Sequence, residues 1–568
     1  MVRFAFIPPL LICCNILLFS GVSFGAPVKE EVDVENIKAP PRDIKDILKL
    51  VEQTKPDLAV VERAQKIVAT PLPTSQDNEV LNHFYTRRSA AFEDLGNTSE
   101  ALKNLEIAVN KYPSTNPRLH LNDLINLSVL ENSGGKLTAA ISLIQKAQAY
   151  QLSALPNLVG SQMTMGRLLT TYYVNSGNFE LAKKELNTME STLGSLKRSR
   201  GFMEYGPIWE AAYEGARGVY FSGQGQWLES ERSLRKTLYF LEAQHQKVKN
   251  SSSKIDVVGD DVRVAADATN NPRIYVTQIS NRELNLANVL LRQRKLIDAE
   301  FYARKSITLS LSSFGSNSIE VARGLRSLAT IVNEQGRYSE AVLLSRLAVS
   351  TVKAAGATGA NITLALAQRS LGSALVADGK YAEANQAFDE MAAAIKTDPE
   401  MAKSYQLGDL DWVLAMLKTG KNSQANEMVS KMLKTQELTA DKNPPRLAMV
   451  RAFEAASLQT DNKWAEADAA YKLSMPVLID QVRNDAENDT TSIKQQQRMT
   501  FLLESYLALL AHTAKTDPSQ APLAAAQAFQ VADIARGSGV QRALTASAAR
   551  ASIKDPQLAS LARQEQDL

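Results

Sequence analysis

The feature that most constrains this 568-residue chain is a short pattern that returns about every 42 residues. It runs small turn residue, polar residue, often an aromatic, two more residues, then Ala. The copies include Gly96-Asn97-Thr98-Ser99-Glu100-Ala101, Gly177-Asn178-Phe179 to Ala182, Gly225-Gln226-Trp227 to Ser230, and Gly336-Arg337-Tyr338-Ser339-Glu340-Ala341. Gly379-Lys380-Tyr381-Ala382-Glu383-Ala384 and Asn462-Lys463-Trp464-Ala465-Glu466-Ala467 continue it. The closing small residues fall at 101, 140, 182, 230, 299, 341, 384, 425 and 467. A fixed step over that many copies means repeated supersecondary units stacked on one another, not one compact core.

Each copy reads as the turn of a helical hairpin. Gly or Asn tolerates the left-handed conformation that ends a first helix. The aromatic opens a second helix, and the Ala lets the two helices approach closely. Apolar residues recur at helical spacing on both sides, as in Leu325, Leu328, Ala329 and Val332 before Ala341, then Val342, Leu344, Leu347 and Ala348 after it. Neither helix buries its stripe alone, so the fold class expected is all-α, a superhelix of stacked hairpins. Sparse aromatics, 6% of residues, fit helices packed through small side chains.

These residues resemble the tetratricopeptide repeat (TPR) family. A small residue 12 positions before the key Ala and a large one three further on are Ser89 and Phe92, Ala329 and Val332, and Gly372 and Leu375. Leu105, Ala108 and Pro113 extend the match in the first copy. The unit is longer than the usual repeat of about 34 residues, which resembles the kinesin-light-chain style of TPR. The resemblance covers residues 81–475 and implies a protein-binding scaffold.

The remaining segments have their own signatures. Arg3, the apolar run Ile7 to Phe19 and the small-residue site Ser23-Phe24-Gly25 read as a signal peptide over 1–25, cleaved before Ala26. Export to the periplasm or the medium follows. Residues 26–42 read as a linker and 43–80 as N-terminal helices. The one long step, from 230 to 299, implies an insertion at about 250–272, where Lys254 to Val264 reads as a small β-hairpin or an irregular loop.

Residues 476–568 leave the 42-residue rhythm, with one helix over 493–516 and a second from Pro522 to Arg536. Ala528-Phe529-Gln530-Val531-Ala532-Asp533, Ala535-Arg536, Asp555-Pro556 and Arg563 to Leu568 resemble the stretch that joins TPR arrays to CHAT domains, the caspase-like peptidase domains of bacteria. That resemblance implies a second reading: a recognition or regulatory portion whose catalytic domain is missing or separate.

The residues for catalysis are not assembled by the sequence. Both cysteines, Cys13 and Cys14, lie in the leader, so the mature chain is expected to have no thiolate nucleophile, disulfide or cysteine metal ligand. His83, His120, His245 and His512 stand far apart, with no zinc-ligand spacing. Lys418-Thr419-Gly420 matches one penicillin-binding motif but sits at a repeat turn without its companions. No catalytic residue, metal site or cofactor is therefore expected, and no membrane span beyond the leader. A net charge of +3 argues against a strongly basic nucleic-acid binder.

What remains is surface. In TPR geometry the first helix of each pair lines the concave wall, which here would carry Asn285, Asn288, Arg292, Arg323, Arg326, Asn333 and Arg369. Planar guanidinium donors suit an acidic peptide, so a protein or peptide ligand with an acidic segment is the expected partner. A solvated helix face is the alternative for the same residues. Leu407, Leu410, Leu414 and Leu417 read as a hydrophobic trough or as core.

Overall fold

The structure, a computed structural model, describes residues 40–41, 43–54, 58–95, 97–134, 136–250, 272–355, 361–396, 408–437, 444–488 and 492–534. Among the described residues every regular element is a helix. Two short helices lead: α1 (Lys45–Gln53) and α2 (Leu58–Ala69). Paired helices follow as α3 (Asn78–Asp94) with α4 (Thr98–Asn110), α5 (Pro117–Ser133) with α6 (Leu137–Ala154), and α7 (Gly160–Asn175) with α8 (Phe179–Leu196). Next come α9 (Phe202–Gly223) with α10 (Trp227–Asn250), α11 (Pro272–Arg292) with α12 (Leu296–Phe314), and α13 (Ile319–Glu334) with α14 (Tyr338–Ala354). Then α15 (Ile362–Ala377) pairs with α16 (Tyr381–Lys396), α17 (Leu410–Lys418) with α18 (Asn422–Glu437), and α19 (Pro444–Thr460) with α20 (Trp464–Asn488). The long α21 (Ile493–Thr516) and a final α22 over 521–534 complete the described chain.

The nine turns share one hydrogen bond, and this explains the repeat at atomic level. In each, the residue four before the key small residue donates its backbone N–H to the carbonyl five residues earlier. The donors are Asn97, Lys136, Asn178, Gln226, Lys295, Arg337, Lys380, Lys421 and Lys463, at 2.8–3.1 Å. That six-to-one closure requires a left-handed residue just before the donor. Gly177, Gly225, Gly336, Gly379 and Gly420 supply it with φ between 74° and 82°. Arg294 and Asn462 adopt it without being glycine, at φ 60° and 58°. For Arg294 that conformation costs about 1 kcal/mol, and its guanidinium is held by Glu334 on α13 at 3.1 Å.

The key small residues are where the helices touch. Ala101, Ala140, Ala182, Ser230, Ala299, Ala341, Ala384, Ala425 and Ala467 are all fully buried. The position 12 residues earlier faces them across the pair. There the Ser89 and Ser128 hydroxyls donate to the carbonyls of Ala101 and Ala140, at 2.7 and 3.1 Å. In the fourth pair the roles reverse: Ser230 donates to the Gly218 carbonyl at 2.7 Å. A Cβ on Gly372 would come within 2.8 Å of the Phe388 ring, so that pair closes only around glycine. Phe179, Trp227, Tyr338, Tyr381 and Trp464 each stand first in a second helix, as the pattern requires.

First helices of successive pairs also pack on one another: α7 on α9, α11 on α13, and α13 on α15. They therefore form the inner wall of the stack, while the second helices face outward. The described residues form an all-α stack of TPR-type hairpins.

Two additions were not visible in the pattern. α1 does not cap the head of the stack but lies on α12, where the buried Arg304 donates to both carboxylate oxygens of Asp46 at 2.5–2.6 Å and to the Asp43 carbonyl at 2.9 Å. α21 packs beside α19 and α20 and also meets α13. The leader, nearly all of the 26–42 linker, the hairpin reading of 254–264 and the chain after 534 lie outside the described residues.

Candidate functional site

The inner wall is built mainly by the first helices, and its two halves differ in charge. On α11, Arg282, Asn285, Asn288 and Arg292 follow one another at spacings of three and four, so they share one helix face. Asn288 and Arg292 are exposed, and Arg282 and Asn285 half-buried. On α13, Arg323 and Arg326 are also half-buried. Asn333 differs from the sequence reading's other wall residues in being buried, with its Oδ1 lacking a hydrogen-bond partner.

Arg369, on α15, is exposed but already engaged. Its Nε donates to Asp409 Oδ2 at 2.7 Å, and that carboxylate is buried at the start of α17. Beside it Asp411, equally buried, takes a hydrogen bond from Ser373 at 2.7 Å and from Arg498 Nε at 2.8 Å, and pairs with Lys494. Lys494 and Arg498 belong to the first turns of α21, four residues apart on one face. Gln497 adds a bond to the Ala377 carbonyl at 3.3 Å. Burial alone would raise the Asp411 carboxyl. The charges of Lys494 and Arg498, with hydrogen bonds from Lys494 and Ser373, overcome it and hold Asp411 well below the usual carboxylate range. Leu410 and Leu414 are buried core, and Leu407 lies outside the described residues.

The histidines do not come together. His120 packs edge-on against Tyr150 at 4.8 Å, His245 lies 6.5 Å from the Tyr275 ring, and His512 stacks on Trp464 at 3.9 Å. Thr419, from the Lys-Thr-Gly triplet, accepts a bond at 2.8 Å from Asn385 on α16 of the preceding pair. Among the described residues no group of three or more His, Cys, Asp or Glu is placed to hold a metal ion. No described helix is long and apolar enough to cross a membrane.

A second concavity lies among α10, α11 and α12: a cleft of about 1260 Å³ lined by Tyr239, Ile279, Phe301 and Leu309 and bounded by Pro40 and Pro41.

The sequence reading placed Asn285, Asn288, Arg292, Arg323 and Arg326 on two first helices that pack together. It missed the Asp409–Asp411 cluster, because spacing from the repeat Ala shows which face a residue takes and not which distant helix it meets. The signal available for it was a pair of acids at the mouth of an otherwise apolar helix, with Lys494 and Arg498 spaced to match.

No family model matches this sequence, and no curated protein matches it. Among solved structures it is similar to a Rap protein complexed with Competence and Sporulation Factor, at 12% identity over 75% of this chain and 100% of that one, TM-score 0.43. It is similar to the human IFIT1 dimer with m7Gppp-AAAA, at 13% identity over 88% of this chain and 100% of that one, TM-score 0.33. It is also similar to a signal-transduction ATPase with a tetratricopeptide repeat sensor from Pyrococcus horikoshii, at 12% identity, TM-score 0.30, over 76% of this chain and 55% of that one. By their turn geometry and pairing, the described residues have the fold of stacked TPR-type helical hairpins.

Proposed function

We propose that this chain is an exported, non-enzymatic scaffold that binds an acidic segment of another protein along the inner wall of α11 and α13. The observation that carries the reading is the face made by Asn285, Asn288 and Arg292, continued on the next first helix by Arg323 and Arg326. Asparagine amides offer both a donor and an acceptor to an extended backbone, and guanidiniums offer paired donors to carboxylates. Neither helix puts an exposed aromatic on that face: Tyr275, the one aromatic residue of α11, is buried, and α13 has none. Stacking platforms of the kind that hold single-stranded nucleic acid are therefore lacking there. Arg369 is outside the proposed contact set, because Asp409 already takes its charge.

The test is a triple change of Arg292, Arg323 and Arg326 to Ala in the full chain, titrated with a labelled acidic peptide. Binding is expected to weaken at least tenfold, and wild-type binding to fall as salt rises, since exposed charge pairs are screened over about 10 Å at 0.1 M. Unchanged affinity in a folded variant would refute the wall as the site. Export is tested separately: the mature protein should begin at Ala26 or Pro27.

A further inference from the structure

The seventh and eighth pairs do not close completely on one another. A cavity of about 400 Å³ lies among α15, α16, α17 and α18, within the size range of small-molecule sites. Second helices line it as well as first, so it sits between pairs, and no described residue of α21 borders it. Its wall is mainly apolar: Leu366 of α15, Met391 and Ile395 of α16, Met416 of α17 and Met428 of α18. The three methionines matter, because an unbranched thioether chain adapts its shape to whatever packs against it.

The charges around this cavity are matched. Asp409 accepts from Arg369 Nε at 2.7 Å, Glu427 pairs with Lys431 at 2.6 Å, and Asp389 has Lys421 at 3.8 Å. What is buried there without a partner is a donor. Trp412 lines the cavity, stacked on Phe388 with ring centres 5.5 Å apart, and its indole N–H is buried with no hydrogen-bond acceptor. An indole nitrogen donates and never accepts, so only an acceptor can relieve its burial. Arg369, on the same wall, commits only its Nε to Asp409, and its two terminal nitrogens make no hydrogen bond to a described residue. An apolar chamber whose free polar groups are donors calls for an apolar molecule that carries an acceptor.

We propose that this cavity binds a small uncharged molecule with a hydrocarbon body and a carbonyl oxygen, which accepts from the Trp412 indole N–H. The hydrocarbon packs among Met391, Met416 and Met428. Matched charge is what selects a neutral ligand: an anion would face Asp389, Asp409 and Glu427, and an amine would bring another donor to a site that lacks acceptors. The site goes beyond the peptide-binding wall of α11 and α13 and does not depend on it.

The experiment uses the full chain with its four tryptophans labelled with nitrogen-15, titrated with 2-octanone and read by calorimetry and by the indole N–H signals. One molecule should bind. The Trp412 signal, identified by its loss in Trp412→Phe, should move downfield to saturation while those of Trp209, Trp227 and Trp464 stay in place. Trp412→Phe keeps a ring and removes the donor, so it should weaken binding about fivefold, the loss of one neutral hydrogen bond. Ala392→Phe fills the cavity from α16 and should abolish binding, with the helical signal and melting curve reporting that the variant is folded. Binding that leaves the Trp412 signal unmoved, or that shifts all four signals together, would overturn the site. So would full affinity in folded Ala392→Phe. Octanoate or octylamine bound more tightly than 2-octanone would overturn the assignment of a neutral acceptor.

Discussion

Arginine does opposite work in the two halves of the inner wall. Around α15, α17 and α21 the charges are matched: Arg369 and Arg498 converge on Asp409, and Lys494 and Arg498 on Asp411. The chain fills its own groove there, with the first turns of α21 as occupant. Around α11 and α13, Arg292 is exposed and Arg323 half-buried, with no carboxylate paired to either among the described residues. The same hairpin repeat, with the same turn bond and the same buried Ala, thus carries a closed wall at one end and an open basic wall at the other. Fold and recognition are separable here: the repeat fixes where first helices go, and the residues on their inner faces decide whether the wall is sealed or offered.

The largest effect should come from breaking the sealed half. Asp411→Ala leaves Lys494 and Arg498 short of their main counter-charge, and loss of one partner from a buried pair costs about 3–5 kcal/mol. The closed wall should loosen first at α21, visible as faster amide exchange over 493–505. The sign with pH follows from the depressed Asp411. Its contribution is complete above the unfolded value of about 3.9 and fades as pH falls toward the lower folded value. The gap in melting temperature between wild type and Asp411→Asn should therefore be constant from neutral pH to about pH 5 and shrink below about pH 3.9.

The second prediction asks whether the halves share one scaffold. Ala182→Glu and Ala384→Glu each bury an unpaired charge and overpack a helix contact, so each should cost about 3 kcal/mol or more. A large loss at 384 with none at 182 would show that the common register is wrong in the N-terminal half. A smaller effect sharpens the same point. Ser230→Ala removes the bond to the Gly218 carbonyl, and thermal unfolding should register about 1 kcal/mol. Ser89→Ala should cost a similar amount, because its hydroxyl plays the mirrored part in the first pair.

The hairpin architecture was legible because it is written locally. A turn glycine, an aromatic and a buried Ala lie within six residues of one another, and each has one physical job. Even the exceptions could be read: Arg294 and Asn462 occupy the glycine position, and they adopt the left-handed backbone that position demands. That Asn285, Asn288 and Arg292 share one helix face was legible for the same reason, since helix spacing fixes a face. What could not be read were pairings between helices far apart in sequence. Arg304 holding Asp46, and Lys494 reaching Asp411, join residues separated by hundreds or tens of positions. No periodicity encodes them. Arg369 shows the consequence: its face was foreseen, but not the carboxylate that takes up its charge.

The central claim is that the acidic ligand enters the α11–α13 wall and not the α15–α17 wall, whose Asp409 and Asp411 are already taken by Lys494 and Arg498 of α21. Hydrogen–deuterium exchange of the full chain with and without decaglutamate tests it most directly, because it reports every helix at once. Protection on binding should appear over 275–292 and 319–334, with exchange over 410–418 and 493–505 unchanged. Protection confined to 410–418 and 493–505, or faster exchange of 493–505 as the peptide displaces it, would contradict the account.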